Sequence, residues 1–431
     1  MLGSGEKTWP QQFSKGEKKG EHRRVIFNND VPLHAEKGRS TMLKEDYTTV
    51  ILDLEGIEVK KAEQDGEELQ IYIEMERKSQ ICPCCGEETQ RIHDYRTQRV
   101  KDIPLGKKTV LYLRKRRYHC RNCRKHFYEA NPFLGRYSSM TKRLIAYILT
   151  QFKDLKPASE IAKECNISSS TAFRCFDCIS YRCRSLPHVL SIDEFKGNAG
   201  GEKYQSILTD PKNRKVLDIL PNRYENDLIQ YFRSFSTRDN VHYFVTDMNF
   251  HFRNVANICF PKAKIVVDKY HVTRQAMWAM ENVRKAEQKK LPEPLRKYFK
   301  RSKSLLSKSI ERLTPDEMNK LSLMFEYSPR LARAYHLKNV FLSVMRSSSS
   351  SEGRKKLSGW LFLAEFENLP EFSPCITAYR NWFQEILNSF DVPYANGYTE
   401  GCNNKTKVLK RVCFGVRYFD RFRNRILPCS T

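Results

Sequence analysis

Three acidic residues stand at places in the sequence where a carboxylate could do chemistry. Asp193 lies in an apolar stretch, Asp247 ends a second one, and Glu400 comes at the start of a helical segment. Burying a carboxylate at the end of an apolar strand is costly unless the charge is paired or binds a metal ion. Three such acids brought together would offer the oxygen ligands that Mg²⁺ or Mn²⁺ prefers. Two such ions about 4 Å apart would hold the attacking and leaving oxygens of a phosphodiester displacement.

Each acid also has an ordinary structural interpretation. Asp193 and Asp247 could cap the loops that follow them, and Glu400 could be a surface charge. The last helical segment favours the chemical interpretation, because its acid lies on a ridge of cations that suits DNA phosphates passing a metal site. At helical spacing this ridge holds Glu400, Asn403 or Asn404, Lys407 and Arg411, while Cys402, Leu409 and Cys413 lie on roughly the opposite face.

Two pairs of cysteines have the spacing of a metal site. Cys82 and Cys85 form one CxxC pair, and Cys120 and Cys123 form a second after a long spacer that contains a plausible hairpin. Two-residue spacing lets both thiolates point at one tetrahedral ion, so the four sulfurs predict one structural Zn²⁺, since a catalytic zinc keeps an open position. Cys84 lies between ligands and is not expected to be one. The alternative is a set of buried free cysteines, which rarely come in two matched pairs.

The zinc module and the helices after it carry candidate DNA contacts. Basic residues crowd the second cysteine pair and suit phosphate contact, although a solvated charged face is the alternative. Segments 142–149, 156–164 and 168–176 have helical periodicity with N-cap candidates before the third. They predict a helix-turn-helix whose last helix faces a DNA groove, with an ordinary helical linker as the alternative. The candidate DNA-binding residues are Arg116, Arg117, Arg121, Ser169, Ser170, Thr171 and Arg174, together with Lys407 and Arg411 on the last helix.

The bulk composition agrees with a nucleic-acid partner. Lys and Arg number 76 against 50 Asp and Glu, a formal charge of +26 over 431 residues. This balance points to a polyanion, although a merely basic soluble protein is the alternative. No apolar run approaches the roughly 18 residues of a membrane span, and the polar N-terminus has no secretory h-region. We therefore expect a cytoplasmic, nucleoid-associated protein whose 14 cysteines serve as metal ligands and buried thiols.

Changes in pattern along the chain predict three domains after an extension. Residues 1–41 are rich in Gly, Lys and Glu and are expected to be disordered. Residues 42–135 read as short strands around the cysteines, and residues 136–186 as the helical DNA-binding domain. From 187 to 427, strand-like runs alternate with helical ones, which predicts an α/β domain with a helical insertion at about 273–392.

Within the predicted insertion, two features have simple structural interpretations. The serine run 347–351 suggests an exposed loop. The tryptophans Trp278, Trp360 and Trp382 are expected to pack in the core, although one of them could stack on an unpaired base.

Several strings in the chain resemble those of the bacterial insertion-sequence transposases of the L-three type. The strings are CPCCG, YHCRNCRKHF, SIDEF, ILPNR, FVTDM, FPKAKIVVDKYHVTR, and NGYTEGCNNKTKVLKR followed by FGVRYFDRFRNRIL. The resemblance runs from about Leu52 to Leu427 and is most specific in the last string. It implies a zinc ribbon, a helix-turn-helix and an α/β catalytic domain that is ribonuclease-H-like, a mixed sheet with flanking helices and a helical insertion.

Carried onto this chain, the resemblance implies three metal-binding carboxylates. Asp193 would contact both of two Mg²⁺ or Mn²⁺ ions, and Asp247 and Glu400 would each hold one. The ions would activate water to nick a transposon end and then activate the freed 3′-hydroxyl to attack target DNA. Asp268 is the main competitor to Asp247 as the second carboxylate. It forms an Asp-x-x-His motif with His271, for which a hydrogen-bonded structural role is more expected than metal ligation.

Two other functions remain open on the sequence. One is a DNA-binding regulator with an inactive catalytic domain, and the retained acids speak against it. The other is a ribonuclease-H-like nuclease that cuts without joining strands, but the two-part DNA-binding front end favours a transposase that recognises particular ends. The expected partner is double-stranded DNA, both the element's terminal repeats and the target, bound by a homodimer or larger multimer, with no membrane.

Overall fold

The computed structural model describes residues 52–413 and 416–429. The predicted disorder of residues 1–41 lies outside the described residues. Within them, none of the helices is both long and apolar enough to cross a membrane.

A five-stranded sheet and a small hairpin form the first part of the described chain. Their strands are β1 (Ile57–Asp65), β2 (Glu68–Met75), β3 (Gln80–Ile81), β4 (Glu88–Thr89), β5 (Ile92–Lys101), β6 (Lys108–His119) and β7 (His126–Tyr128). The sheet order is β1-β2-β6-β5 with β7 also paired to β6, while β3 and β4 pair only with each other. Antiparallel pairing of β5 with β6 confirms the hairpin predicted between the cysteine pairs. The chain turns between β1 and β2 at Gly66, whose φ is +56°.

Three short helices follow, and they pack into a core of their own. They are α1 (Lys142–Gln151), α2 (Ala158–Glu164) and α3 (Ser169–Phe176). Hydroxyl side chains begin two of them, because Thr141 accepts from the backbone N–H of Leu144 and Ser168 from that of Thr171. Between α2 and α3 the chain turns at Asn166, whose φ of +51° is left-handed. Buried apolar residues from all three helices then meet in one cluster.

A second five-stranded sheet forms the centre of the chain. Its strands are β8 (Val189–Phe195), β9 (Gln205–Asp210), β10 (Lys215–Leu220), β11 (Tyr243–Thr246) and β12 (Lys264–Val267), and they lie in the order β10-β9-β8-β11-β12. The pairs β8–β9 and β9–β10 are antiparallel, whereas β8–β11 and β11–β12 are parallel. This mixed sheet confirms the α/β class predicted from the alternating pattern.

Helices cover both faces of the mixed sheet. Leu190 and Ile192 of β8 pack with α4 (Glu225–Arg233) and α5 (Phe250–Cys259). Phe195 lies in a different cluster, together with α14 (Gly397–Val412) and α15 (Phe419–Cys429). Because side chains alternate along a strand, Ser191 and Asp193 share the face of Phe195 and α14.

A helical insertion separates β12 from α14. Its helices are α6 (Lys269–Lys290), α7 (Glu293–Arg301), α8 (Lys303–Ser307), α9 (Pro315–Tyr327), α10 (Pro329–Val344), α11 (Ser350–Glu367), α12 (Ser373–Asn381) and α13 (Phe383–Asn388). They enclose the largest apolar cluster of the described chain. In its centre, Phe341 stacks on Tyr379 with ring centroids 4.7 Å apart, and Trp360 packs beside both. Trp360 and Trp382 are each 1% exposed, which confirms that they pack in the core.

Two expectations about the insertion were wrong in detail. Trp278 is 55% exposed on α6, because its position faces solvent although the helix as a whole packs in the core. The serine run is not simply an exposed loop, since Ser347 is buried and Ser349 caps α11 by accepting from the backbone N–H of Glu352. Serine is among the residues that best satisfy the free N–H groups of a helix start, so the run begins a helix.

Two glycines in α11 provide a matched test of this packing. A Cβ at Gly353 would lie 2.4 Å from Cδ2 of buried Phe390, whereas a Cβ at Gly359 meets no atom within 4 Å. We expect Gly353→Ala to lower the free energy of unfolding by about 1–3 kcal/mol through overpacking. Gly359→Ala should raise it by roughly 0.5–1 kcal/mol, because alanine favours a helix. Denaturant unfolding of the two variants measures both, and equal effects would contradict the close approach of α11 and Phe390.

Candidate functional site

Three aspartates lie at one edge of the mixed sheet. Asp193 is in β8, Asp247 follows β11 directly, and Asp268 follows β12 and caps α6 by accepting from the backbone N–H of Tyr270. Since β8, β11 and β12 are parallel neighbours, their carboxyl ends meet at the same edge. The structure therefore brings the two predicted aspartates and their competitor together.

Burial and mutual repulsion hold these carboxyl groups away from their ordinary ionisation. Burial, with the charges of Asp247 and Asp268 adding to it, raises the pKa of Asp193 to about 7. Burial also raises the pKa of Asp247 and of Asp268, and His271 acts against both shifts. The charge of Glu400 contributes to the raised pKa of Asp268, so the predicted glutamate lies near that aspartate, and its side chain is exposed. A site with this much uncompensated negative charge favours a cation.

Helix α14 is fixed to the sheet by a buried cluster of polar side chains. The hydroxyl of Thr399 lies 3.0 Å from that of Ser191 and 2.8 Å from that of Thr209. Ser191 also donates to the side-chain oxygen of Asn396. One turn further along, the Nδ2 of Asn403 donates to Oδ2 of Asp193 at 2.8 Å. These contacts determine where the first turn of α14, with Glu400, stands against the end of β8.

The exposed face of α14 agrees with the ridge predicted from the sequence. Glu400, Lys407 and Arg411 are exposed, and Asn404 is the ridge amide, because Asn403 is buried against Asp193. On the opposite side, Cys402 and Leu409 are buried in the cluster that joins α14 to the sheet.

The acidic edge fits divalent cations by its chemistry. It offers carboxylate oxygens, and the buried Oδ1 of Asn403 beside them accepts no hydrogen bond. Within the described chain, only the four thiols form a group of ligand atoms that all lie within 4.8 Å of one another, so the carboxylates are spread more widely. A pair of ions about 4 Å apart needs ligands spread in this way, because no single ion binds all of them.

The cysteine site is compact. All four Sγ atoms of Cys82, Cys85, Cys120 and Cys123 lie within 4.8 Å of one another. The pairs Cys82–Cys123 and Cys85–Cys120 are each separated by 3.5 Å. A tetrahedral ion with Zn–S bonds of about 2.3 Å requires sulfurs about 3.8 Å apart, which is close to this spacing. Cys84 is exposed and outside the group, as predicted.

Two tight turns present these thiols. The backbone N–H of Gly86 donates to the carbonyl of Cys82, and the N–H of Cys120 donates to the carbonyl of Lys125. Burial opposes ionisation of Cys82, but the backbone N–H groups of Cys84 and Cys85 together with the thiols of Cys123 and Cys85 lower its pKa to about 6. Burial and the neighbouring thiols raise the pKa of Cys85 and of Cys123, so the metal-free cluster does not ionise all its thiols together. A bound Zn²⁺ would supply the charge that four thiolates need.

One predicted DNA contact near the zinc site is wrong. Arg116 is 6% exposed, and its guanidinium binds Glu74 and Glu129, so it cannot reach a phosphate. The guanidinium is enclosed because Glu74 of β2 and Glu129, which follows β7, lie on either side of it. Arg117 is partly exposed beside Asp94, and Arg121 is exposed at the second cysteine turn.

The predicted groove-facing residues lie on the open side of α3. Ser169, Ser170 and Arg174 are exposed, and Thr171 is partly exposed because it contacts the cap residue Ser168. The opposite face of α3 is buried through Ala172 and Phe176.

Four residues that position α14 on the sheet were not predicted from the sequence: Ser191, Thr209, Asn396 and Thr399. The one signal for them was that polar residues occur within stretches that are otherwise buried.

Comparisons with known proteins agree with this geometry. Residues 190–426 match an ISL3 family model described as a transposase. Residues 78–123 match the zinc finger of the transposases IS204, IS1001, IS1096 and IS1165. The chain is 25% identical over 375 residues to the transposase for insertion sequence element IS1001 of Bordetella parapertussis, covering 84% of this chain and 92% of that protein. It is 31% identical over 129 residues to the transposase for element IS1557 of Mycobacterium tuberculosis, covering 29% of each.

The longer family match covers more than half of the chain and contains both the mixed sheet and α14. The shorter match contains all four cysteines of the compact site. The chain therefore belongs to the ISL3 family of DNA transposases.

Proposed function

We propose that this transposase cuts and joins DNA at the acidic edge of its mixed sheet, with Asp193, Asp247 and Glu400 as ligands of two Mg²⁺ or Mn²⁺ ions. The observation that carries the proposal is the crowding of buried, mutually repelling carboxyl groups at that edge. Divalent cations relieve such repulsion and prefer these oxygen donors. When bound, they stabilise the attacking and leaving oxygens of a phosphodiester displacement.

The chain's own residues position the acids and the DNA. Asp193 is close enough to Asp247 and Asp268 for both charges to act on it, which suits a ligand shared by both ions, and Asn403 donates to its carboxylate. Lys407 and Arg411 continue the exposed face of α14 beyond Glu400, so they can hold phosphates on either side of the bond that reacts. In the first step water attacks the phosphorus at the element's end, the bond to the 3′ oxygen breaks, and that oxygen leaves as a 3′-hydroxyl. In the second step this hydroxyl attacks a phosphorus of the target DNA, whose own 3′ oxygen leaves, so no side chain bonds to DNA.

Asp268 fits an anchoring role better than a metal-binding one. Its carboxylate accepts backbone N–H groups from Tyr270 and from Asn396, which joins the start of α6 to the start of α14. His271 acts to lower the pKa of both Asp247 and Asp268, which favours the ionised form of each carboxyl group.

We further propose that α2 and α3 act as a helix-turn-helix and that the mixed sheet is ribonuclease-H-like. The turn at Asn166, the cap at Ser168 and the open face of α3 support the first assignment. The five-stranded mixed sheet with helices on both faces supports the second. A homodimer or larger multimer on double-stranded DNA agrees with the need to hold two element ends. A regulator with an inactive domain is disfavoured, because all the acids are present and gathered.

Replacing Glu400 by glutamine should abolish chemistry and spare binding. Glutamine keeps the shape and removes the charge, and even outer partners of metal ligands are worth about 10–100-fold. We expect Glu400→Gln to lose more than about 100-fold in nicking and joining of labelled element ends with Mg²⁺ or Mn²⁺. EDTA should stop the wild type.

Glu293→Gln is the matched control, since Glu293 is an exposed glutamate in the first turn of α7. If wild type and both variants bind the ends but none cuts under any metal, the catalytic assignment fails. Cleavage without a joined product would favour a nuclease.

Asp268→Asn should retain more cleavage activity than Asp247→Asn, because Asp268 is proposed as an anchor and Asp247 as a metal ligand. The reverse order would make Asp268 the ligand.

Arg174→Ala should weaken binding to the element's own end more than to a scrambled duplex. An exposed arginine on the groove-facing side of a recognition helix reads base edges, and a good contact of this kind contributes about 1–3 kcal/mol of discrimination. Arg182→Ala is the control, because Arg182 is exposed beyond α3 and should affect both duplexes alike. Equal losses for Arg174→Ala on both duplexes would remove α3 as the reading helix.

Zinc should bind once per chain and only through the four clustered thiols. We expect about one equivalent of zinc by elemental analysis in wild type and in Cys84→Ser, and loss of that zinc in Cys85→Ser. Because metal binding contributes to folding, chelation should lower the melting temperature of wild type and Cys84→Ser, with little effect on Cys85→Ser. Retention of zinc by Cys85→Ser would show that the metal lies elsewhere.

A further inference from the structure

A basic groove lies in the N-terminal sheet, away from both the zinc thiols and the acidic edge. It has a volume of about 910 Å³ and runs between β5, β6 and the loop that precedes α1. Its cations are Arg96, Arg99, Lys115 and Arg136, and among the described residues that line it none is acidic. Arg96 and Lys115 are partners across β5 and β6, and with Arg136 they form a site for an anion. Arg99 lies on the other face of β5 and pairs with Glu68.

The positive charge in the groove is poorly compensated from within the chain. Arg96, Lys115 and Arg136 form no ion pair with any described residue, and only Arg99 has one, with Glu68. Burial lowers the pKa of Lys115, and the charge of Arg96 lowers it further, although Glu129 opposes the shift. Repulsion between like charges at this place is relieved by a bound polyanion.

An exposed tyrosine projects from the rim of the groove. Tyr137 is 91% exposed and has a left-handed φ of +59°, a conformation that is strained for a residue with a side chain. The guanidinium of Arg136 lies 5.0 Å from its ring centre and donates to its hydroxyl at 3.2 Å. Gln98 fixes the loop by donating to the carbonyl of Ser138 at 2.8 Å. The fold thus holds a bulky ring in solvent at a backbone position that favours glycine.

The groove is connected to the helices proposed to read DNA. At the far end of β5, Lys101 donates to the carbonyl of Asn166, the residue that turns the chain into α3. The five steps along β5 from Lys101 to Arg96 span about 17 Å. This is the length of about five base pairs, so the groove lies within half a helical turn of DNA from the start of α3.

We propose that this groove is a second DNA-binding site, which holds the sugar–phosphate backbone of the duplex next to the segment that contacts α3. The inference rests on the proposed DNA-reading role of α3. Arg96 and Lys115 bind phosphates inside the groove. Arg136 and Tyr137 contact the backbone at the rim, where the ring packs against the sugars.

The decisive variant is Tyr137→Gly, because its effects on binding and on folding have opposite signs. Glycine removes the ring and relieves the left-handed strain, so the melting temperature should stay equal or rise. Affinity for a labelled duplex from the element's end should fall several-fold. Arg136→Ala should weaken binding to end and scrambled duplexes alike and reduce the slope of log affinity against log salt by about one.

The double variant Lys320→Ala/Tyr327→Ala is the matched control. It removes one exposed cation and one exposed tyrosine from α9 in the insertion and should leave the affinity unchanged. Wild-type affinity in both Tyr137→Gly and Arg136→Ala, while Arg174→Ala still loses end-specific binding, would overturn the groove and leave the role of α3 intact. Loss in the groove variants without any effect of Arg174→Ala would instead remove α3 and keep the groove as a DNA site.

Discussion

Mutual repulsion among carboxylates at one sheet edge is the constraint on which the rest of this structure depends. Asp193, Asp247 and Asp268 are partly or fully buried at the ends of neighbouring parallel strands, and Glu400 approaches from a helix. Each acid costs free energy there unless a cation is present. A fold under selection for stability alone would place apolar residues at this edge, so the acids indicate a site kept for binding and chemistry.

The helix that brings the last acid is held by polar contacts and not only by packing. Thr399, Ser191 and Thr209 form a buried hydroxyl cluster between α14 and the sheet, and Asn396 connects it to Asp268. Directional hydrogen bonds fix the rotation and height of the helix more tightly than apolar contacts do. The helical insertion lies between β12 and α14. The hydroxyl cluster therefore fixes the position at which the chain rejoins the sheet after the insertion.

Features set by local pattern were predictable from the sequence, and features set by tertiary neighbours were not. The apolar run that ends at Asp247 correctly predicted the end of a strand. The paired spacing of the cysteines correctly predicted a compact group of metal-binding thiols. Arg116 was misjudged because the sequence does not show that Glu74 of β2 and Glu129, which follows β7, bind its guanidinium. Trp278 was misjudged because α6 is buried on one face only. The assignment of Asn403 to the core needed the exact rotation of α14, which periodicity leaves open by one residue.

The last described helix, α15, connects the three short helices to the mixed sheet. Arg421 of α15 forms a two-armed ion pair with Asp177 directly after α3, with distances of 2.7 and 2.6 Å. Arg425 donates to the carbonyl of Lys156, just before α2. On its other side, α15 packs Phe422 and Ile426 into the mixed-sheet core. Because one helix contacts both units with charge-assisted and apolar contacts, α3 keeps a fixed position relative to the acidic edge. On the function proposed above, the position of cleavage relative to the recognised sequence then follows from the fold.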